Sequence, residues 1–249
     1  MQAIAAIGGL SFILASLVTG ARLLMLARRT RDLPAAVLGF GMFLMGGLGY
    51  PMTLMAELGT FLPDSARIGL VAANTLSGVV GLSLFAFFTA RVFRAESRPA
   101  QAVVWLVVLL FCAAFVLRAT GIGFTPIALG GAPQPVLHSA VTVFALGWAG
   151  FESLLVYGQL RKRMRLGLSD PLLVNRMWLW AQAMFCAMLL TGISTTFSLL
   201  GIPFNQTLPG ILTIGIMGSL AAGSIWFAFF PPDAYMRWIR AHGATPATS

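Results

Sequence analysis

The chain has 249 residues, of which 58% are hydrophobic and only 9% are charged, whereas a soluble domain carries about 25% charged residues. So little polar surface excludes a water-soluble globule and predicts an all-α integral membrane protein. The net charge of +9 comes from arginines and one lysine in short clusters between apolar runs. This distribution favours loops that face anionic lipid over a nucleic-acid interface.

Seven apolar stretches are each long enough to cross about 30 Å of hydrocarbon as a helix. We place them near residues 3–27, 35–59, 67–92, 102–122, 135–160, 171–200 and 207–230. The first stretch has no basic segment before it, so we interpret it as a retained span rather than a signal peptide. Residues 1–230 are therefore predicted to form a seven-helix transmembrane bundle.

Small residues in two of these spans predict close helix packing. The second span contains "GFGMFLMGGLGYP" and the seventh contains "GIMGSLAAGS". Glycine, alanine and serine spaced about four residues apart let helix backbones approach closely in lipid. Tyr50–Pro51 is expected to kink the second span, because proline cannot donate a backbone hydrogen bond.

Basic residues predict the orientation of the bundle. They concentrate in the first, third and fifth connectors and in the C-terminal tail. Positive charge stays on the cytoplasmic side, so we expect the N-terminus outside and the C-terminus inside, in a plasma (inner) membrane with anionic lipids at the cytoplasmic face. The predicted cytoplasmic basic face comprises Arg28, Arg29, Arg31, Arg161, Lys162, Arg163 and Arg165.

The chain after the seventh span has a different character. Pro231 and Pro232 end the span, and Tyr235 and Trp238 stand among arginines. Residues 231–249 are therefore predicted to form a short amphipathic segment on the inner interface and a disordered cytoplasmic tail.

The span order also suggests a parallel repeat of three helices, one linker helix and three helices. "GLSLFAFF" at residues 81–88 resembles "GSIWFAFF" at residues 223–230, which end the third and seventh spans. Such a repeat implies two three-helix bundles related by an axis along the membrane normal, with a binding site between them.

Several kinds of chemistry are missing from the sequence. The only lysine lies in a loop, so no retinal Schiff base is expected inside the bundle. His138 is the only histidine in a span, which argues against paired haem ligands, and no metal-ligand spacing or catalytic motif is readable. We expect no cofactor, no metal and no enzymatic activity.

Glu152 is the main functional candidate. It lies about 12 Å inside the basic end of the fifth span. An ionised carboxylate at that depth costs several kcal/mol unless it is paired or protonated, and intramembrane ionisable groups are functional candidates by default. Arg22 reaches a similar depth, and Arg176 lies one turn inside the sixth span, which begins directly below Glu152. Two interpretations remain open: a structural ion pair, or a polar cavity for proton or solute handling.

Other polar residues could line an outward-facing vestibule in the bundle. Gln182 lies near mid-depth of the sixth span, Thr191 and Thr195 lie in its outer half, and Asn74 and His138 lie towards the outer side. Hydroxyls that bond their own helix carbonyls are an alternative explanation for such threonines. Glu57 and Arg118 both lie near outer helix ends, and we expect a structural ion pair between them.

The seven-span plan resembles that of SWEET-type sugar transporters in topology, and Gln134 between two prolines resembles the Pro–Gln pair of the wider PQ-loop family. The paired intramembrane prolines and asparagines of that family are represented only by Pro51 and Asn74. We therefore predict a membrane protein that binds or moves a small apolar or weakly polar solute. Coupling of this transport to protons is one form of the prediction. The alternative is a receptor-like sensor or scaffold that acts through a cytoplasmic protein partner or an oligomer.

Overall fold

A computed structural model describes residues 2–243, without the side chains of residues 2–5, 205 and 243. The described chain is helical throughout and contains seven helices long and apolar enough to cross a membrane. They are α1 (Gln2–Thr30), α2 (Leu33–Leu58), α3 (Asp64–Phe93), α4 (Arg98–Leu117), α5 (Val136–Arg165), α6 (Pro171–Leu199) and α7 (Leu208–Phe229). An eighth helix, α8 (Asp233–Gly243), follows the two prolines. The end of the tail, predicted to be disordered, lies outside the described residues from residue 244 onward.

Four of the spans begin at a polar cap followed closely by proline. Asp32, Ser97, Asp170 and Thr207 each accept a hydrogen bond from a backbone amide in the first turn of α2, α4, α6 and α7. The cap satisfies an amide that has no partner within the helix, and proline in the first turn loses nothing because its amide would be free anyway. These local signals fix where the spans start.

Six of the seven spans form a closed ring, and α4 lies outside it. Contacts follow the order α1, α2, α3, α5, α6, α7 and back to α1, while α4 packs against α3 and α5. Trp105 and Leu109 of α4 are strongly exposed, as expected for a helix with one face towards lipid. The basic connectors and α8 lie at one end of the ring, which we call the basic end. Residues 59–63, 118–135 and 200–207 lie at the other, which we call the opposite end.

Glycines allow the closest helix contacts, as the two small-residue motifs predicted. An ideal Cβ built on Gly8 of α1 would lie 2.9 Å from the carbonyl oxygen of Gly215 in α7. One built on Gly41 of α2 would lie 2.8 Å from the Phe85 ring in α3. A side chain at these positions would push the helices apart, so the packing requires glycine there.

The second span is interrupted by a π-helical segment, Phe43–Gly49. Within it the hydrogen bonds reach back five residues, and the amide of Tyr50 donates to the carbonyl of Met45. Pro51 has no amide to restore the regular pattern of the preceding turn. The distortion that the sequence predicts at Tyr50–Pro51 therefore takes the form of a widened turn just before it.

Candidate functional site

Glu152 is buried in the bundle and has a charged partner. Both of its carboxylate oxygens lie 3.0 Å from Nε of Arg94, and Oε1 also accepts a hydrogen bond of 3.3 Å from Nε1 of Trp148. Arg94 directly follows the last residue of α3, and its side chain contacts Glu152 of α5. The contacts are those of the structural ion pair, and the partner is neither of the two arginines that sequence depth suggested.

Those two arginines lie elsewhere at the basic end. Arg22 of α1 donates a hydrogen bond of 2.7 Å to the carbonyl oxygen of Phe229, and its guanidinium carbon lies 4.6 Å from the ring centre of Phe230. It therefore binds the last turn of α7. Arg176 is exposed on α6. Glu152, Arg22 and Arg176 are therefore not joined by any hydrogen bond or ion pair among the described residues.

The hydroxyl groups of the sixth span are satisfied within their own helix. Thr191 donates to the carbonyl of Ala187 at 2.9 Å, and Thr195 donates to the carbonyl of Thr191 at 2.8 Å. Gln182 is half-buried on the same helix. Asn74 packs its Oδ1 against Gly49, at 2.9 Å from an ideal Cβ there. These contacts support the alternative in which such polar groups complete helix packing.

Glu57 and Arg118 do not form the ion pair that we expected. The carboxylate of Glu57 accepts hydrogen bonds from the amides of Ile127 and Ala128, at 3.1 and 2.9 Å. Nε of Arg118 donates to the carbonyl of Gly123 at 3.1 Å. In the described part of the chain, ion pairs within 4.0 Å are limited to Arg67–Asp64 and Arg94–Glu152. Both side chains therefore bind backbone groups of the loop between α4 and α5 and do not bind each other.

The centre of the ring contains a void of about 20 Å³, which is close to the space that one water needs. Six helices reach it, and its walls are almost entirely apolar. It is lined by Phe12, Ser16, Met42, Met45, Gly46, Phe85, Leu146, Ala183, Met184, Ala187 and Ile225. None of the eight residues predicted to bind a ligand or proton is among them. The sequence signal for this region was the glycine-rich stretch before Pro51, which we interpreted as packing alone.

The predicted basic face is exposed. Its seven members, Arg28, Arg29, Arg31, Arg161, Lys162, Arg163 and Arg165, are all accessible at the basic end. A groove of about 370 Å³ opens beside two of them, between α1 and α2. Its walls combine Arg28 and Arg31 with apolar residues such as Leu24 and Phe40. Such a surface suits lipid headgroups or an acidic partner.

Within the described residues, no cluster of three or more histidine, cysteine, aspartate or glutamate side chains is arranged to hold a metal ion. Comparison of the chain with protein-family models, with curated proteins and with solved structures finds no match. The function of the protein is therefore inferred from the geometry of the bundle.

Proposed function

We propose that the protein binds a small apolar or weakly polar solute at the centre of its bundle and moves it across an inner membrane. The observation that carries this proposal is the central void, where six helices meet beside the π-helical segment. π-Helical turns within a helix are frequently found at functional sites. Met42, Met45 and Met184 supply flexible, polarizable walls that adapt to different apolar guests.

Polar contacts join neighbouring elements at both ends of the ring, which supports an occluded arrangement of the helices. At the basic end, Arg94 binds Glu152 and Arg22 binds the carbonyl of Phe229. At the opposite end, Glu57 binds loop amides and Arg67 binds the carbonyl of Ala56 at 2.7 Å. A void of about 20 Å³ does not hold a solute, so entry requires one end to open while the other stays closed.

A pair of matched substitutions tests this proposal. A library of small apolar and weakly polar compounds is screened for thermal stabilisation of the purified protein, and hits are assayed for counterflow in proteoliposomes. Ala187→Val fills the void and should abolish binding and counterflow, whereas Ala140→Val adds the same methyl groups to an exposed position of α5. Equal activity of both variants, or no saturable hit, argues against a central solute site.

In the proton-coupled form of the proposal, Glu152 takes up a proton and releases Arg94 when the basic end opens. Glu152→Gln should then remove the pH dependence of counterflow without abolishing expression. An unchanged pH dependence would leave Glu152 with a structural role alone.

The second candidate is a receptor-like sensor or scaffold. The exposed basic residues and the apolar groove between α1 and α2 favour it, because they offer a docking surface at the basic end. Specific co-purification of a soluble acidic partner, lost when Arg28 and Arg31 are both replaced by glutamine, would support this role over transport.

A further inference from the structure

Two arginines are buried at the opposite end of the bundle, and their surroundings differ. Arg67 and Arg118 are only 6% and 4% exposed. Arg67 donates from Nε to the carbonyl of Ala56 and from Nη2 to that of Glu57, while its Nη1 lies 4.0 Å from Oδ1 of Asp64. The last turn of α2 has carbonyls without helical partners, and Arg67 satisfies two of them. Its charge and its donors are accounted for by the fold.

Arg118 is held in place by the loop after α4, but one of its buried hydrogen-bond donors has no partner among the described residues. Its Nε bonds the carbonyl of Gly123, and its guanidinium carbon lies 5.6 Å from the ring centre of Phe124. Its Nη1 is buried and has no hydrogen-bond partner among the described residues. Leaving a buried donor unpaired costs about 1–3 kcal/mol, and more for a charged group. A ligand outside the chain that accepts a hydrogen bond from Nη1 would remove this cost.

The nearest acid is occupied by other donors. Glu57 lies within electrostatic range of Arg118, yet both of its carboxylate oxygens accept amide hydrogen bonds from Ile127 and Ala128. The positive charge of Arg118 therefore has no directly contacting negative group in the described chain. A single water would satisfy Nη1, but it would leave the buried charge without compensation.

Two further polar atoms without partners lie at the start of α5. Nδ1 of His138 and Oε1 of Gln134 are both buried and lack partners among the described residues. Arg118 acts electrostatically on His138, whose ring also packs edge-on against Phe111 with ring centres 5.4 Å apart. A histidine Nδ1 that carries a hydrogen adds a second donor to this region.

We propose that Arg118 binds a small anion, a halide or a carboxylate, in an enclosed site at the opposite end of the bundle, with His138 as an additional donor. The anion supplies the missing acceptor for Nη1 and the missing countercharge for the guanidinium group. This site is separate from the central void, and it stands whether or not a solute binds there.

Anion-dependent stability tests the site. Purified protein is kept in a buffer whose only anion is a bulky sulfonate, and its unfolding temperature is followed as sodium bromide or sodium formate replaces the sulfonate at constant ionic strength. We expect a saturable rise with at least one of the two salts. A response to bromide alone assigns a halide site, and a response to formate alone assigns a carboxylate site.

Matched variants separate the site from general salt effects. Arg118→Lys keeps the charge but loses the planar fork of donors, and should weaken the apparent affinity at least roughly tenfold, or about 1.4 kcal/mol. Arg67→Lys changes the other buried arginine and should leave the anion response intact.

A direct measurement remains available if Arg118→Lys does not fold. Anomalous diffraction from bromide-soaked wild-type crystals, or density for formate, should place the anion within about 3.5 Å of Nη1 of Arg118. A salt response that is linear and equal in wild type and both variants, or a water alone at Nη1, would overturn the proposal.

Discussion

At the scale of single residues, the pair between Glu152 and Arg94 is unequal. The side chain of Glu152 is 9% exposed, whereas that of Arg94 is 49% exposed. The carboxylate depends on its partner, because it is buried and has little access to solvent. When the carboxylate is removed, water or lipid headgroups solvate the half-exposed guanidinium group.

This inequality predicts different costs for the two ways of breaking the pair. Arg94→Gln leaves a buried carboxylate without its cation and should lower the free energy of unfolding by about 1–3 kcal/mol. Glu152→Gln should cost less, because Gln still accepts a hydrogen bond from Trp148 and Arg94 becomes solvated. Denaturation in detergent measures both variants and the double variant. Equal losses in the two single variants would contradict the burial argument.

The sequence was sufficient to find Glu152, but not its partner. Counting residues along an apolar span gives the depth of an acid, because the helical rise is constant. The partner depends on where α3 ends and on the direction of the Arg94 side chain beyond that end. Neither follows from depth, so Arg22 and Arg176 were equally plausible before the helices were packed.

At the scale of the helix, the contact between α1 and α7 depends on the absence of side chains. Gly8→Ala would bring a methyl group to 2.9 Å from the carbonyl of Gly215, which is a backbone atom that cannot move aside. We expect a loss of about 1–3 kcal/mol in the free energy of unfolding.

The same substitution at Gly223 provides the control. An ideal Cβ on Gly223 of α7 has no heavy atom within 4 Å. Gly223→Ala should leave stability unchanged or raise it by about 0.5–1 kcal/mol, because alanine loses less backbone entropy in a helix. Thermal unfolding of the two variants side by side checks both statements. A Gly8→Ala protein as stable as Gly223→Ala would show that the helices are not in such close contact.

Helix α8 is attached to the bundle by one polar contact that a single substitution removes. Nδ2 of Asn175 donates to the hydroxyl of Tyr235 at 2.8 Å, and the Tyr235 ring packs on Phe227. Tyr235→Phe keeps the ring and should cost about 1 kcal/mol of docking free energy. Faster protease cleavage between α7 and α8 would report this loss. Tyr157 of α5 contacts Trp178 of α6 and not α8, so the Tyr157→Phe protein should be cleaved at the wild-type rate.

Span identity was predictable from the sequence, while the π-helical segment was not. Long apolar runs with polar caps and prolines at their starts leave few alternatives to a transmembrane helix. The widened turn at Phe43–Gly49 is rich in glycine, but so are closely packed regular spans such as α7, so composition does not distinguish the two. Pro51 marks a disturbance nearby, but it does not say whether the helix bends or widens.

At the scale of the whole molecule, three arginines bind near the ends of the ring, whereas the void at its centre has almost entirely apolar walls. Arg22, Arg67 and Arg118 all bond to backbone carbonyls in a terminal turn or a loop. Helix ends offer carbonyls without partners, whereas mid-span backbone is already hydrogen-bonded. Counting residues along a span does not show this, because it gives the depth of an arginine and not the carbonyl that its side chain reaches.

Orientation is a property of the whole chain and follows from its arginines. In a background without Cys112 and Cys186, we predict that Leu168→Cys at the basic end reacts with a membrane-impermeant maleimide only after the cells are opened. Phe61→Cys at the opposite end should react in intact cells. Both positions are more than 70% exposed, so burial does not confound the comparison. The reverse labelling pattern would place the basic end outside.

The central claim is that the ring encloses an apolar site that accepts a small guest. Crystals of the wild-type protein pressurised with xenon test it most directly, because xenon enters apolar cavities and is located by its anomalous scattering. We predict that one xenon atom binds among Met42, Met45 and Met184, with the methionine side chains displaced to make room. The Ala187→Val protein should bind no xenon there. Xenon bound only on the lipid-facing surface, or equally in both proteins, would contradict it.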